Sequence, residues 1–267
     1  MADEIPSSKN LREIFIETLG YWDPTYVQVL EASPIWFAAW TDFAAVPWRT
    51  GVLPAKVKEF IHITLNASTT HLHEPALRQH IANALRHGAT AAEIIEVFQI
   101  ISILGVHSMM LSVPILREEA ETRGLAVGDG ELTAHQSAIK ESYVASRGYW
   151  PPSWDSILTL APDFVQAHER LGAVPFEQGV LEPKVREFIL IAVDASTTHL
   201  FPIGVRTHMR SALEHGASVA EIVEVLALTC VVGTQSVTFG VPILMEELAK
   251  FNRGAGDAET GTDARSL

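Results

Sequence analysis

The chain has 267 residues, 48% of them hydrophobic, and a formal charge of −13. That length can bury one large core or two modest ones, and the acidic balance leaves no basic stripe to neutralise phosphates, so neither nucleic acid nor anionic membrane is expected as a partner. A single cysteine, Cys230, excludes an intrachain disulfide and a CxxC pair; the start MADEIPSSKN lacks the regions of a secretory signal, so a cytoplasmic protein is expected.

In chain order, Ser33–Pro34 first sets an N-cap before a proline at the first helical position. KVKEFIHITLNASTTHL, Lys56 to Leu72, reads as an apolar helix that ends in a short polar turn. In the helix after it, Leu77, Ile81, Ala84 and Leu85 mark the buried face and His80 falls at its edge. His87–Gly88 reads as a helix end closed by a left-handed glycine, and Thr90–x–x–Glu93 as a capping box opening the next helix. From Val97 to Leu116 there is no Asp, Glu, Lys or Arg, which approaches the length of a membrane span. Gln99, Ser102, His107, Ser108, Ser112 and Pro114 interrupt the stretch, so it is read as a central helix buried by domain packing or oligomer contacts.

The same order then repeats. Sliding the chain by about 128 residues superposes Gly20–Tyr21–Trp22 on Gly148–Tyr149–Trp150 and runs without a gap to Glu118–Glu119 on Glu246–Glu247. KVREFILIAVDASTTHL (Lys184 to Leu200) repeats the first block, and ALEHGASVAEIVEV (Ala212 to Val225) repeats ALRHGATAAEIIEV (Ala84 to Val97). With no period-2 run of strand length, the expected fold is all-α, a tandem duplication of one helical domain. Its expected parts are a first domain over 1–120, a Gly-rich acidic linker over 121–131, a second domain over 132–250 and a disordered tail over 251–267.

The pattern ALRQH…AL…HGAT…EI, preceded by an EFI-type helix and a polar turn, resembles the carboxymuconolactone decarboxylase and alkylhydroperoxidase D-like superfamily over about two thirds of each half. The resemblance implies an all-helical domain and an oligomer in which neighbouring chains line the site; for a tandem member that points to a homotrimer with pseudo-hexameric symmetry or another homo-oligomer. It implies either CxxC redox chemistry or cofactor-free chemistry on small lactone acids. Where redox members carry cysteines this chain has AlaSerThrThrHis twice, Ala67 to His71 and Ala195 to His199, and a hydroxyl cannot cycle as a thiolate does. Peroxidase activity is therefore disfavoured, and Cys230 is read as an inert buried thiol.

Glu59 and Glu187 match the family's catalytic glutamate. FILIAV, Phe188 to Val193, is apolar on every face, so Glu187 must point toward protein, where desolvation raises a carboxyl pKa toward neutrality. The alternative is a structural ion pair with Lys56 or Lys184 on the same helix. His80 and His208 match the family's histidine, with a boundary histidine bonded to a carbonyl as the alternative. These four are the candidate catalytic residues. His71, Thr70, His199 and Thr198 are candidate substrate-binding residues, or else satisfy free backbone groups at a helix end. Arg78 and Arg206 lie about 160° around the helix from the histidine and are read as intersubunit ion-pair partners, with anchoring of a substrate carboxylate as the alternative. His71–x–His73 with His80 offers three nitrogens, but Phe201 replaces His73 in the second half, and no metal or other cofactor is expected. His107 is likewise replaced, by Gln235, so chemistry that needs it can occur in one half only. The expected function is cofactor-independent proton transfer on a small carboxylate or lactone, by decarboxylation or isomerisation; the alternative is a noncatalytic ligand-binding or assembly protein.

Overall fold

The computed structural model describes residues 8–128, 130–147 and 150–260. The first half runs α1 (Ser8–Leu19), α2 (Tyr26–Ala32), α3 (Pro34–Thr50), α4 (Ala55–Ala67), α5 (Glu74–Arg86), α6 (Ala91–Ser102), a 3₁₀ turn (Ile103–Val106) and α7 (His107–Glu121). The second repeats the order as α8 (Ala134–Arg147), α9 (Trp154–Leu160), α10 (Pro162–Glu177), α11 (Pro183–Ala195), α12 (Pro202–Glu214), α13 (Val219–Cys230), a 3₁₀ turn (Val231–Thr234) and α14 (Gln235–Thr260). No strand occurs among the described residues, and the fold is an all-α tandem duplication.

The local signals act as their chemistry dictates. Thr90 and Glu93 form a reciprocal capping box, as do Ser218 and Glu221. Gly88 and Gly216 both sit at φ +81°, a left-handed conformation that closes α5 and α12 without a Cβ penalty. Ser33 precedes a proline at the start of α3, but its side chain makes no cap hydrogen bond. α14 continues to Thr260, so residues 251–260 are helical where a disordered tail was expected; the remainder of that segment, 261–267, lies outside the described residues. Cys230 is exposed, not buried, because it ends α13 on the side turned away from the core.

The halves do not fold around separate cores. Every residue of α4 from Val57 to Asn66 and of α11 from Val185 to Asp194 is buried, since the two helices pack on each other and on α6 and α13. Phe60, Ile61, Ile63, Phe188, Ile189 and Ile191 belong to one central cluster drawn from both halves. The outer clusters are exchanged. Val231, Val237 and Val241 of the second half complete a core around Phe15, Phe37 and Trp40, while Val106 and Val113 of the first half complete one around Tyr143, Trp154 and Ile157.

A reciprocal clamp fixes this exchange. Glu224 accepts hydrogen bonds from the backbone N–H groups of Val52 and Leu53, the latter at 2.9 Å, and lies 3.1 Å from Lys58 Nζ. Glu96 does the same across the pseudo-twofold, accepting from Val180, from Leu181 at 2.9 Å and from Arg186 Nε at 2.7 Å. Both carboxylates are buried and both approach a glycine: a Cβ on Gly51 would stand 2.0 Å from Glu224 Oε1, and one on Gly179 2.1 Å from Glu96 Oε1. Buried charges of this kind hold only while fully partnered, and removal of one partner costs about 3–5 kcal/mol.

The apolar stretches Ala91–Glu121 and Val219–Arg253 are long and apolar enough to cross a membrane by composition. In this fold each is interrupted by its 3₁₀ turn and lends a polar residue, His107 or Gln235, to the opposite half.

Candidate functional site

Spacing along α4 decides what the first site contains. Glu59, His62 and Asn66 stand at i, i+3 and i+7 and so share one helix face. That face meets α5, where His80 Nδ1 lies 2.7 Å from Glu59 Oε2, both groups buried. The His62 ring stacks on His80 with centroids 4.3 Å apart, and Tyr21 meets His80 edge-on at 5.8 Å. A cavity of about 40 Å³ opens beside the pair, lined by Tyr21, Tyr26, His62 and His80 from the first half and by Val232 and Gln235 from the second. Gln235 joins a hydrogen-bonded chain: its Nε2 donates to Asn66 Oδ1 at 2.8 Å and its Oε1 contacts His71 Nε2.

Burial governs the electrostatics there. Loss of solvent raises the Glu59 carboxyl to about 7 and lowers His80 and His62 to about 3. Loss of solvent also raises the Tyr26 phenol to about 12 and the Tyr21 phenol well above its ordinary value, so both stay protonated. Near neutral pH the Glu59–His80 pair therefore exchanges a single proton as a unit. With the carboxyl protonated and donating to Nδ1, the imidazole carries its own proton on Nε2 and is a donor. With the carboxylate ionised, Nδ1–H donates to it and Nε2 is a free base. One dyad thus supplies either an acid or a base at the same atom.

The second site repeats the dyad and changes its surroundings. His208 Nδ1 lies 2.8 Å from Glu187 Oε2, beside a cavity of about 100 Å³ lined by residues of both halves, among them His107, Phe201, Gly204 and His208. Leu190 stands where His62 does in the first half, and Asp194 where Asn66 does. Asp194 is fully buried, and among the described residues neither of its carboxylate oxygens accepts a hydrogen bond. Burial raises it to about 7, lowers His107 to about 3 and lowers His199. His107 stacks on Phe201 with centroids 3.8 Å apart, and its Nδ1 lies 2.7 Å from His199 Nε2.

The structure thus joins Glu59 to His80 and Glu187 to His208. The lysines one turn before the glutamates pair elsewhere, Lys56 with Glu93 at 2.8 Å and Lys184 with Glu221 at 3.0 Å. His71 and His199 sit beside the cavities through Gln235 and His107. Thr70 and Thr198 meet each other across the halves, oxygen to oxygen 3.3 Å apart, and each pairs with a serine of its own turn, Ser68 or Ser196. That turn is held by Leu72 and Leu200 at φ 49° and 47°, a strained conformation for a side chain of this kind. Arg78 is exposed and pairs with Glu74 one turn earlier on its own helix. The residues missed from sequence are His62, Tyr21, Asn66 and Asp194. The i, i+3, i+7 spacing from each glutamate was the available signal for three of them; Tyr21, on a separate segment, offered none.

An all-helical duplication whose two cavities each carry a buried carboxyl–imidazole pair defines the class. The carboxymuconolactone decarboxylase family pattern matches residues 34–117 and 162–241, more than half of the chain, which therefore belongs to that family. A solved structure from Burkholderia xenovorans LB400, provisionally named a gamma-carboxymuconolactone decarboxylase subunit, superposes with a TM-score of 0.89 at 35% identity, covering 92% of this chain and 99% of that one. No curated protein matches the chain.

Proposed function

We propose that the chain is an enzyme that moves protons on a small organic acid or lactone, by decarboxylation or isomerisation, with the dyads Glu59–His80 and Glu187–His208 as its acid–base groups. The observation that carries this reading is the repetition of the dyad, at 2.7 Å and 2.8 Å, beside a cavity in each half. A carboxyl held near 7 is matched to proton transfer at neutral pH, where such groups contribute about 10²–10⁴ in rate. Two protonation states of one dyad supply both the acid and the base at the first cavity, so the chemistry needs no organic cofactor. The absence of the cysteine pair from both STTH turns speaks against peroxide reduction.

The protein works as a soluble, intracellular homo-oligomer in this reading. Leu111, Ile115 and Leu116 on α7 and Phe239, Ile243 and Leu244 on α14 are exposed, and self-association would cover them. The test is a ¹H NMR time course with a panel of lactone acids and β-keto acids, run beside the Glu59→Gln/Glu187→Gln double variant. Conversion by the wild-type chain and none by the folded variant is expected. Equal conversion by both would remove the dyads from the mechanism, and ligand line-broadening without conversion by either would favour a binding protein.

A further inference from the structure

The two cavities differ in a way that proton transfer alone does not require. Three side chains that could each have been neutral amides or apolar groups converge in the second half: His107 from α7, His199 from the STTH turn and Asp194 from α11. His107 Nδ1 and His199 Nε2 are 2.7 Å apart, and each lies 3.7 Å from the same atom, Asp194 Oδ1. The last two distances are too long for hydrogen bonds, yet the carboxylate is fully buried and accepts none among the described residues. A carboxylate buried without hydrogen bonds is costly unless a proton or a cation neutralises it.

The triangle formed by these three atoms has a centre about 2.0 Å from each of them, which is the bond length of a first-row transition ion to imidazole nitrogen and carboxylate oxygen. We propose that the second cavity binds one divalent first-row transition ion, of the zinc or iron(II) kind, through His107 Nδ1, His199 Nε2 and Asp194 Oδ1. Two imidazoles and a carboxylate select such an ion over magnesium or calcium, which prefer all-oxygen sites.

The surroundings fit the assignment. Phe201 lies flat against the His107 ring and fixes its orientation. Gly204 leaves the space the carboxylate occupies, since a Cβ there would stand 1.8 Å from Asp194 Oδ2. The first half has Ala76 at that position. His208, whose Nδ1 is bonded to Glu187, turns its Nε2 to within 3.9 Å of Asp194 Oδ2, so the dyad borders the coordination sphere. The first cavity is the internal control. Asn66, Gln235 and His71 occupy the equivalent positions, satisfy one another by hydrogen bonds and offer no carboxylate.

This inference goes beyond the proton-transfer reading and does not depend on it, because neither dyad residue is among the three ligands. The test is a titration of the full-length chain, first stripped by a chelator, with Co²⁺ followed by visible absorption and calorimetry. One ion per chain, with ligand-field bands, is expected. The His107→Gln/Asp194→Asn variant gives the second cavity the side chains of the first, so it should fold, as circular dichroism will show, and bind Co²⁺ at least about 100-fold more weakly. Absence of bands in the wild-type chain at millimolar Co²⁺ would overturn the assignment. So would an ion bound equally by the folded double variant, since that ion would lie elsewhere. Co²⁺ titration of the Glu59→Gln/Glu187→Gln variant keeps the two readings apart: it should bind the ion as the wild-type chain does, whatever happens to its turnover.

Discussion

The first and second cavities share a dyad and part company one helical turn further along α4 and α11. In the first, His62 and Asn66 follow Glu59, and the neighbourhood is a stack of neutral rings closed by amides. In the second, Leu190 and Asp194 follow Glu187, and a buried acid faces three histidines. Both copies of the duplicated domain hold the dyad, and the shell around it is where the copies differ. The change is coordinated across the chain: Asn66 is matched to Gln235 and Asp194 to His107, each pair drawn from opposite halves.

The largest expected effect is on turnover. Glu59→Gln should silence the first cavity and Glu187→Gln the second, each by about 10²–10⁴-fold in the rate of that cavity. Steady-state rates of the two single variants measure how unequal the cavities are. Next in size is the clamp that holds both cavities together. Gly51→Ala and Gly179→Ala each drive a methyl into a buried carboxylate and into the carbonyl of Pro47 or Pro175, and should cost about 2–4 kcal/mol. Urea melts of the two variants should fall by similar amounts, and a large inequality would show that the clamp is not reciprocal.

Stability should also depend on pH through the buried carboxyl of the first cavity. Glu59 ionises near 4.5 in the unfolded chain and near 7 in the folded one, so the folded state holds its proton longer. The contribution to stability is fully present below pH 4.5 and is lost as pH rises through 7, by up to about 3 kcal/mol. Glu59→Gln removes that dependence, so urea melts at pH 5 and pH 8 should show the variant gaining on the wild-type chain at the higher pH. Transplanting the second shell into the first, by Asn66→Asp, Gln235→His and Ala76→Gly together, should raise the number of Co²⁺ ions bound per chain from one to two. The smallest effect is at Cys230, which is exposed and outside both cavities; Cys230→Ser should alter stability by less than about 0.5 kcal/mol and leave turnover unchanged.

Much of this was legible in the chain itself. The repeat, the capping boxes and the left-handed glycines are local, so residues such as Thr90, Glu93 and Gly88 announced the helices without tertiary help. The members of the dyads were marked by the family resemblance, with the wholly apolar FILIAV beside Glu187 and the edge position of His80 as physical support. The exchange of helices between halves was not. Nothing local in Val231 or Val106 says which copy of the domain it will pack against, and so the replacement of His107 by Gln235 could be noticed but not connected to Asp194 and Asn66. Cys230 was misjudged for the same reason: an apolar helix end reads as buried until the packing partners are known.

The most direct test of the account is the rate of proton exchange and product formation in ²H₂O, followed by ¹H NMR with the acid or lactone that the wild-type chain converts, for Glu59→Gln, Glu187→Gln and the double variant. The account predicts that each single variant keeps the turnover of the untouched cavity and that the folded double variant keeps none. Turnover of the double variant at the wild-type rate would contradict it and move the chemistry away from both dyads.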